Sequence, residues 1–181
     1  AVSQSLRTQL EQQLLRVFSA NYDIQTVEDG SPLHALCAYH SRDSQYVLVK
    51  KAELWAAEHH EYLYLFSASH LDEAVIDAAY QRVLEDGEPR VKPHAQHMYT
   101  YLTALVLYDS ADPAALAQLK KLKRRREFKL SLHGWMEFRI AAVDCSTGEF
   151  TVNRSGKLIL KDLKRLTDRI ISHYKGEEKT Q

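Results

Sequence analysis

Two apolar runs, Met98–Tyr108 and Trp135–Val143, constrain the fold more than any other feature of the chain. Both are rich in β-branched and aromatic residues. Between them stands Asp109-Ser110-Ala111-Asp112-Pro113, a helix-start signal, followed by the helix-forming Ala114-Ala115-Leu116-Ala117-Gln118-Leu119. Aspartate can bond the free N–H groups of a helix's first turn, and proline has no N–H to satisfy there. Strand, crossover helix and strand in this order are the grammar of a sheet with helices packed on its faces.

The flanking stretches extend that pattern. Leu6, Leu10, Leu14, Val17 and Phe18 recur at helical spacing with Arg7, Glu11, Gln12 and Arg16 opposite, predicting an amphipathic helix capped at Ser3 or Ser5 and closed near Asn21. A turn-rich passage through Glu28-Asp29-Gly30-Ser31-Pro32 leads to three expected strands, Leu33–Tyr39, Tyr46–Lys51 and Tyr62–Phe66. Tyr46-Val47-Leu48-Val49 suits a strand covered on both faces, and Ala52–Glu58 reads as its bent continuation, with a short helical turn at Leu54-Trp55-Ala56-Ala57 as the alternative. Ser69 with Asp72 predicts the cap of a second helix, lined by Leu71, Val75, Ala78 and Ala79 and ended by a left-handed Gly87 before Pro89.

Beyond the central unit, Phe128, Leu130 and Leu132 alternate as a strand would, and His133-Gly134 bends that strand into Trp135–Val143. Asp144–Gly148 forms a turn, Phe150–Asn153 a return strand, and Ser155 the cap of a last helix with the stripe Ile159, Leu163, Leu166 and Ile170. The expectation is a single α/β domain over residues 1–175 with a polar tail at 176–181. It has a mixed β-sheet of about six strands flanked by about four helices, in the order α-βββ-α-β-α-ββ-α.

Composition bounds the function classes. A chain of 181 residues with 45% hydrophobic and 27% charged residues is globular, not disordered. Lys plus Arg and Asp plus Glu both number 24. Whole-chain attraction to nucleic acid or membrane is therefore absent, and such binding needs a local patch. Cys37 and Cys145 stand far apart outside any CxxC, the pattern of reduced, buried thiols in a cytosolic protein. No apolar run approaches the roughly 20 residues that span a bilayer. Ala1-Val2-Ser3-Gln4 lacks a signal-peptide profile, so a cytoplasmic protein with no membrane partner is expected.

The most visible charge feature is Lys120, Lys121, Lys123, Arg124, Arg125 and Arg126, with Lys129 just beyond. Such a run can neutralise phosphates and makes these residues the nucleic-acid-binding candidates. It equally suits a helix carboxyl end, where cations oppose the macrodipole. His94, His97 and the pair His59-His60 are the densest histidines, but a zinc site needs three or four convergent ligands, so no metal is expected. There is no GxGxxG, no GxxxxGK[ST], no HExxH and no GxSxG, which leaves no cofactor or nucleophile elbow to expect. Cys37 is three residues from His34 and His40, on the wrong face of a strand for a thiol–base pair.

Trp135, Phe138 and Ile140 read as packing residues, with Glu137 and Arg139 facing water or each other. A Tyr62-Tyr64 or Tyr99-Tyr101 stripe could offer a partner surface, and a pocket lined by Tyr and His could take a small molecule.

Two resemblances add expectations. The helix, three strands, helix and strand of the first 108 residues resemble the core of restriction-endonuclease-like nucleases, whose motif is an acid followed by (D/E)xK. That resemblance implies a divalent cation held by carboxylates such as Asp43 and Glu61 near strand starts, with Lys51 or Lys50 in place of the lysine missing from Glu61-Tyr62-Leu63. The literal ExK, Glu127-Phe128-Lys129, lies after the crossover helix, out of place for the motif. The phrases Tyr46–Glu58, Gly134-Trp135-Met136-Glu137-Phe138-Arg139 and Asn153-Arg154-Ser155-Gly156-Lys157 resemble uncharacterised bacterial α/β proteins filed as a domain of unknown function. With no complete catalytic constellation, the sequence points first to a non-enzymatic binding or interaction domain, and second to a metal-dependent nuclease or an inactive nuclease-like nucleic-acid binder.

Overall fold

In the computed structural model, residues 5–42 and 58–179 are described. The elements run α1 (Leu6–Phe18), β1 (Asp23–Thr26), β2 (Leu33–Arg42), β3 (Glu58–Leu71), α2 (Glu73–Gly87), β4 (His97–Ala111), α3 (Pro113–Lys121), β5 (Arg125–Glu127), β6 (Trp135–Asp144), β7 (Phe150–Val152) and α4 (Lys157–Glu178). They form one seven-stranded sheet in the order β1-β2-β3-β4-β6-β5, with β7 also on β6. β3, β4 and β6 are parallel, and β1–β2, β2–β3, β5–β6 and β6–β7 are antiparallel. The expected mixed α/β sheet flanked by helices is therefore present, with seven strands and four α-helices among the described residues.

The period-2 alternation of the central strands sorts their side chains between two cores. Tyr64, Phe66, Leu102, Ala104, Val106, Phe138 and Ile140 face α2 and α3 through Ile76, Ala79, Val83, Ala115 and Leu119. Leu63, Leu65, Leu105, Leu107, Ala141 and Val143 face α1 and α4 through Leu10, Leu14, Leu163 and Ile171. The result is three layers, helix on sheet on helix. Among the described residues no helix is long and apolar enough to cross a membrane.

Several local expectations are corrected. The expected strand Tyr46–Lys51, and Ala52–Glu58 up to its last residue, lie outside the described residues. A strand absent from the sequence reading, β1, pairs with β2 immediately after α1. The cap of α2 is Asp72, not Ser69, because β3 runs through Leu71 and the Asp72 carboxylate accepts from Val75 N–H at 2.8 Å. Gly87 does not close α2 in a left-handed turn, since its φ is −84°. Its missing side chain lets β4 approach instead, as a Cβ there would stand 2.8 Å from Leu102.

Phe128, Leu130 and Leu132 do not continue a strand. Lys129, Leu130 and Ser131 are all left-handed, at φ 47°, 52° and 69°. That reversal lets Phe128 N–H donate to Gly134 O at 3.0 Å and His133 N–H to Phe128 O at 3.1 Å, closing the β5–β6 hairpin.

Nor does Ser155 cap α4. Asn153, fully buried, anchors the turn before the helix: its Oδ1 accepts from Gly156 N–H at 2.8 Å and from Ile140 N–H at 3.1 Å, and its Nδ2 donates to Leu122 O at 2.9 Å. β5 pairs with residues 135–137 of β6 and β7 with residues 141–143, so Asn153 fills the gap between them on one edge. Ser155 Oγ donates to Glu137 at 2.7 Å.

Candidate ligand-binding cleft

On the α1/α4 face, the apolar rows of β3, β4 and β6 begin only at Leu63, Leu105 and Ala141. Upstream on the same face the strands carry Glu61, Tyr101, Thr103, Glu137 and Arg139, brought side by side by the register Glu61↔Tyr101↔Glu137 and Thr103↔Arg139. Polar residues at the amino ends of the strands leave a part of the sheet that the helices do not bury. A cleft of about 550 Å³ opens there, reached by Asn21 and Tyr22 after α1 and Tyr39 on β2.

Arg139 forms its floor. The sequence expectation that Arg139 faces water, or pairs with Glu137, is overturned: the residue is 5% exposed and its ion pair is with Glu61 at 3.0 Å. Nε donates to Thr103 Oγ1 at 2.8 Å, and the Tyr101 ring lies 3.8 Å from the guanidinium carbon. A planar guanidinium can satisfy a carboxylate, a hydroxyl and a ring face together, which a lysine could not. Glu137 turns instead to Arg125 at 3.2 Å.

The walls are aromatic. Tyr22 donates to Glu61 at 3.2 Å, and its ring meets Tyr39 at 5.5 Å. Burial, and then the adjacent Glu61 charge, push the Tyr22 phenol above its ordinary range. Opposite, Tyr101 meets Tyr99 at 5.1 Å, and Tyr99 stacks on Trp135 at 5.4 Å. The Arg125 guanidinium also lies over the Trp135 ring, at 5.0 Å. Of the two tyrosine stripes expected at a surface, Tyr99-Tyr101 lines the cleft, while Tyr62 and Tyr64 are buried on the α2/α3 side.

The other expected site residues separate. Glu61 is in the cleft; Asp43, Lys50 and Lys51 lie outside the described residues. The ExK segment divides between β5 and the left-handed turn. Lys120 and Lys121 end α3, Lys123 and Arg124 follow it, and Arg125 and Arg126 begin β5. Arg124 pairs with Glu88 at 2.7 Å. His97 is buried, bonding His133 O at 2.7 Å and Thr100 Oγ1 at 2.8 Å, with His60 stacked at 6.1 Å and His94 at 6.3 Å. Among the described residues no group of three His, Cys, Asp or Glu side chains could hold a metal ion. Cys37 and Cys145 are buried, and burial pushes both thiols up to about 12.

One arrangement was not anticipated. At the opposite end of the sheet His70 lies between Ser110 Oγ, 2.7 Å from Nδ1, and Asp112 Oδ1, 2.9 Å from Nε2. The Asp112 carboxylate thus makes no cap bond to α3, although the residue holds the cap position. The order is that of a serine nucleophile, base and acid. However, His70 and Asp112 are about half exposed, at 48% and 54%, where water competes for every charge. We read it as a polar tie between the ends of β3 and β4.

The fold and cleft define a three-layer α/β protein with a tyrosine-walled pocket over a buried ion pair. The chain belongs to the family described as Domain of unknown function (DUF8052), whose model matches residues 7–165. No curated protein and no solved structure matches the chain.

Proposed function

We propose that this protein is a non-enzymatic binding domain and that its ligand is a small molecule with a flat ring, held in the cleft over Arg139. The observation that carries the reading is the Arg139 guanidinium, buried at the floor of a concave site whose walls are tyrosines. Ligand sites combine aromatic walls with a few fixed polar groups, and this cleft has both. The polar groups suit binding better than proton transfer. An arginine does not deprotonate in proteins, the Glu61 charge is compensated by it, and the Tyr22 phenol holds its proton.

Glu61 is also the acid that the nuclease reading needs, and among the described residues the cation paired with it is Arg139. The buried, unbridged Cys37 and Cys145 support a cytoplasmic location.

Titration of the full chain carrying Trp55→Phe with adenosine, AMP and benzoate tests the reading through the fluorescence of Trp135, which stacks on Tyr99. At least one ring should quench saturably, and Tyr101→Ala should weaken it about tenfold. Absence of quenching at millimolar concentration, or equal quenching in the variant, rejects the cleft. Cleavage of short DNA on adding manganese would instead promote the nuclease reading.

A further inference from the structure

The turn between β5 and β6 exposes apolar side chains that little among the described residues covers. Leu130 is 94% exposed and Leu132 76%, and the neighbouring Met98, whose carbonyl packs against Gly134, is 46% exposed. The backbone that holds them out is itself unfavourable, with Lys129, Leu130 and Ser131 all left-handed and none of them glycine. Strain of this kind persists where surrounding structure enforces it, and clusters at sites that act on something else. Here the hairpin bonds between Phe128 and both Gly134 and His133 enforce it.

The surroundings are basic. α3 runs back along the sheet from the carboxyl end of β4, and its last turn, with Lys120 and Lys121, ends beside Ile140, from where the chain continues toward this loop. Lys123, Arg126 and Lys129 are exposed along the connection between them. Glu88, Glu127 and Glu137 pair with Arg124 and Arg125, so the cations in excess along this stretch are Lys123, Arg126 and Lys129.

We propose that the 128–134 turn docks the protein on an anionic lipid surface, with Leu130 and Leu132 entering the interfacial layer and the surrounding cations facing the headgroups. Charge complementarity and exposed apolar tips together select this occupant. Nucleic acid has phosphates for the cations but no place for two leucines. A bilayer accepts cations on flexible stems without matched geometry, and it buries small apolar projections at the headgroup boundary. The loop is distinct from the cleft, and the inference does not depend on the ligand proposed there.

Sedimentation of the full chain with vesicles of phosphatidylcholine containing about one-third phosphatidylserine tests it, since each cation near such a surface is worth about fivefold in binding. Binding is expected to the mixed vesicles and to fall at least about tenfold on pure phosphatidylcholine or in high salt. Leu130→Asp/Leu132→Asp should abolish it with an unchanged circular dichroism spectrum, and Arg126→Gln/Lys129→Gln should weaken it. No sedimentation with mixed vesicles overturns the proposal. So does sedimentation that survives the leucine changes, or binding of single-stranded RNA that depends on Arg126 and Lys129 while vesicles are ignored.

Discussion

Arg139 on β6 reaches across the whole width of β4 to pair with Glu61 on β3 at 3.0 Å. Two strand spacings separate the partners, about 10 Å of backbone, and the guanidinium crosses that distance over the ring of Tyr101. The pair therefore clamps three parallel strands at their amino ends, where the helices give no cover.

Removing one partner leaves a charge with little solvent. Arg139→Met should destabilise the fold by about 3 kcal/mol, and Arg139→Met/Glu61→Gln by clearly less than the sum of the single changes. Urea unfolding of the four proteins of this cycle measures the coupling. Additive losses would mean that the pair does not act as a unit.

Leu130 offers the opposite sign. A left-handed conformation costs a branched residue about 1–2 kcal/mol, and glycine's extra freedom in the unfolded chain returns about half of that. Leu130→Gly should then raise stability by about 0.5–1 kcal/mol while removing an exposed side chain. A lower midpoint in urea would show that the left-handed turn is not strained.

Gly134 does not tolerate the reverse change. Its φ is +78° and a Cβ would stand 2.1 Å from the Met98 carbonyl oxygen. Gly134→Ala should cost more than about 2 kcal/mol and loosen the start of β6. Amide exchange at Met136 and Phe138 should accelerate in the variant before that of the α2/α3 core does.

Asn153 supplies a donor as well as acceptors. Asn153→Asp keeps Oδ1 for Ile140 and Gly156 but leaves the Leu122 carbonyl facing a carboxylate in a buried site. The expected loss is about 2–3 kcal/mol, measured by thermal unfolding near neutral pH. A negligible change would mean that water replaces the Nδ2 bond.

High pH should unfold the protein ahead of lysine chemistry. Burial raises the Cys37 and Cys145 thiols from 9.0, and the Tyr108 phenol from 10.0, to about 12. The unfolded chain loses these protons first. Their contribution is whole below pH 9 and disappears as pH climbs toward 12. Urea midpoints should hold to about pH 9 and fall beyond it, less steeply in Cys37→Ala. A flat profile up to about pH 11 contradicts the burial of these groups.

Long, strongly patterned elements were legible in the sequence. The apolar run of β4, the Asp112-Pro113 start of α3 and the stripe of α1 each follow from local periodicity, which needs no knowledge of partners. What escaped depends on contacts between distant segments. Arg139 looks like a solvent-facing residue because it alternates with Phe138 and Ile140. Only the neighbouring strands reveal that its side of the sheet is polar and half enclosed. Phe128, Leu130 and Leu132 carry a true period of two, yet the hairpin closure imposed by Gly134 turns them into a loop. Ser155 matches a helix-cap pattern, yet its hydroxyl turns to Glu137, and Asn153, tied to β6, holds the turn before α4. The tyrosines could be named but not sorted: Tyr62 and Tyr64 differ from Tyr99 and Tyr101 only in which side of the sheet their parity selects.

The short strands at the margins of the sheet bear on how copies of this protein behave at high concentration. β1 spans 4 residues, β5 and β7 span 3 each, and Asn153 occupies the ladder positions between the latter two. A neighbouring chain seeking backbone partners finds, among the described residues, no long flat run of free amides on either side, so ribbon-like self-association has no template there. Loss of the Asn153 side chain would free the Ile140 amide on that margin and add a position at which a second strand could pair.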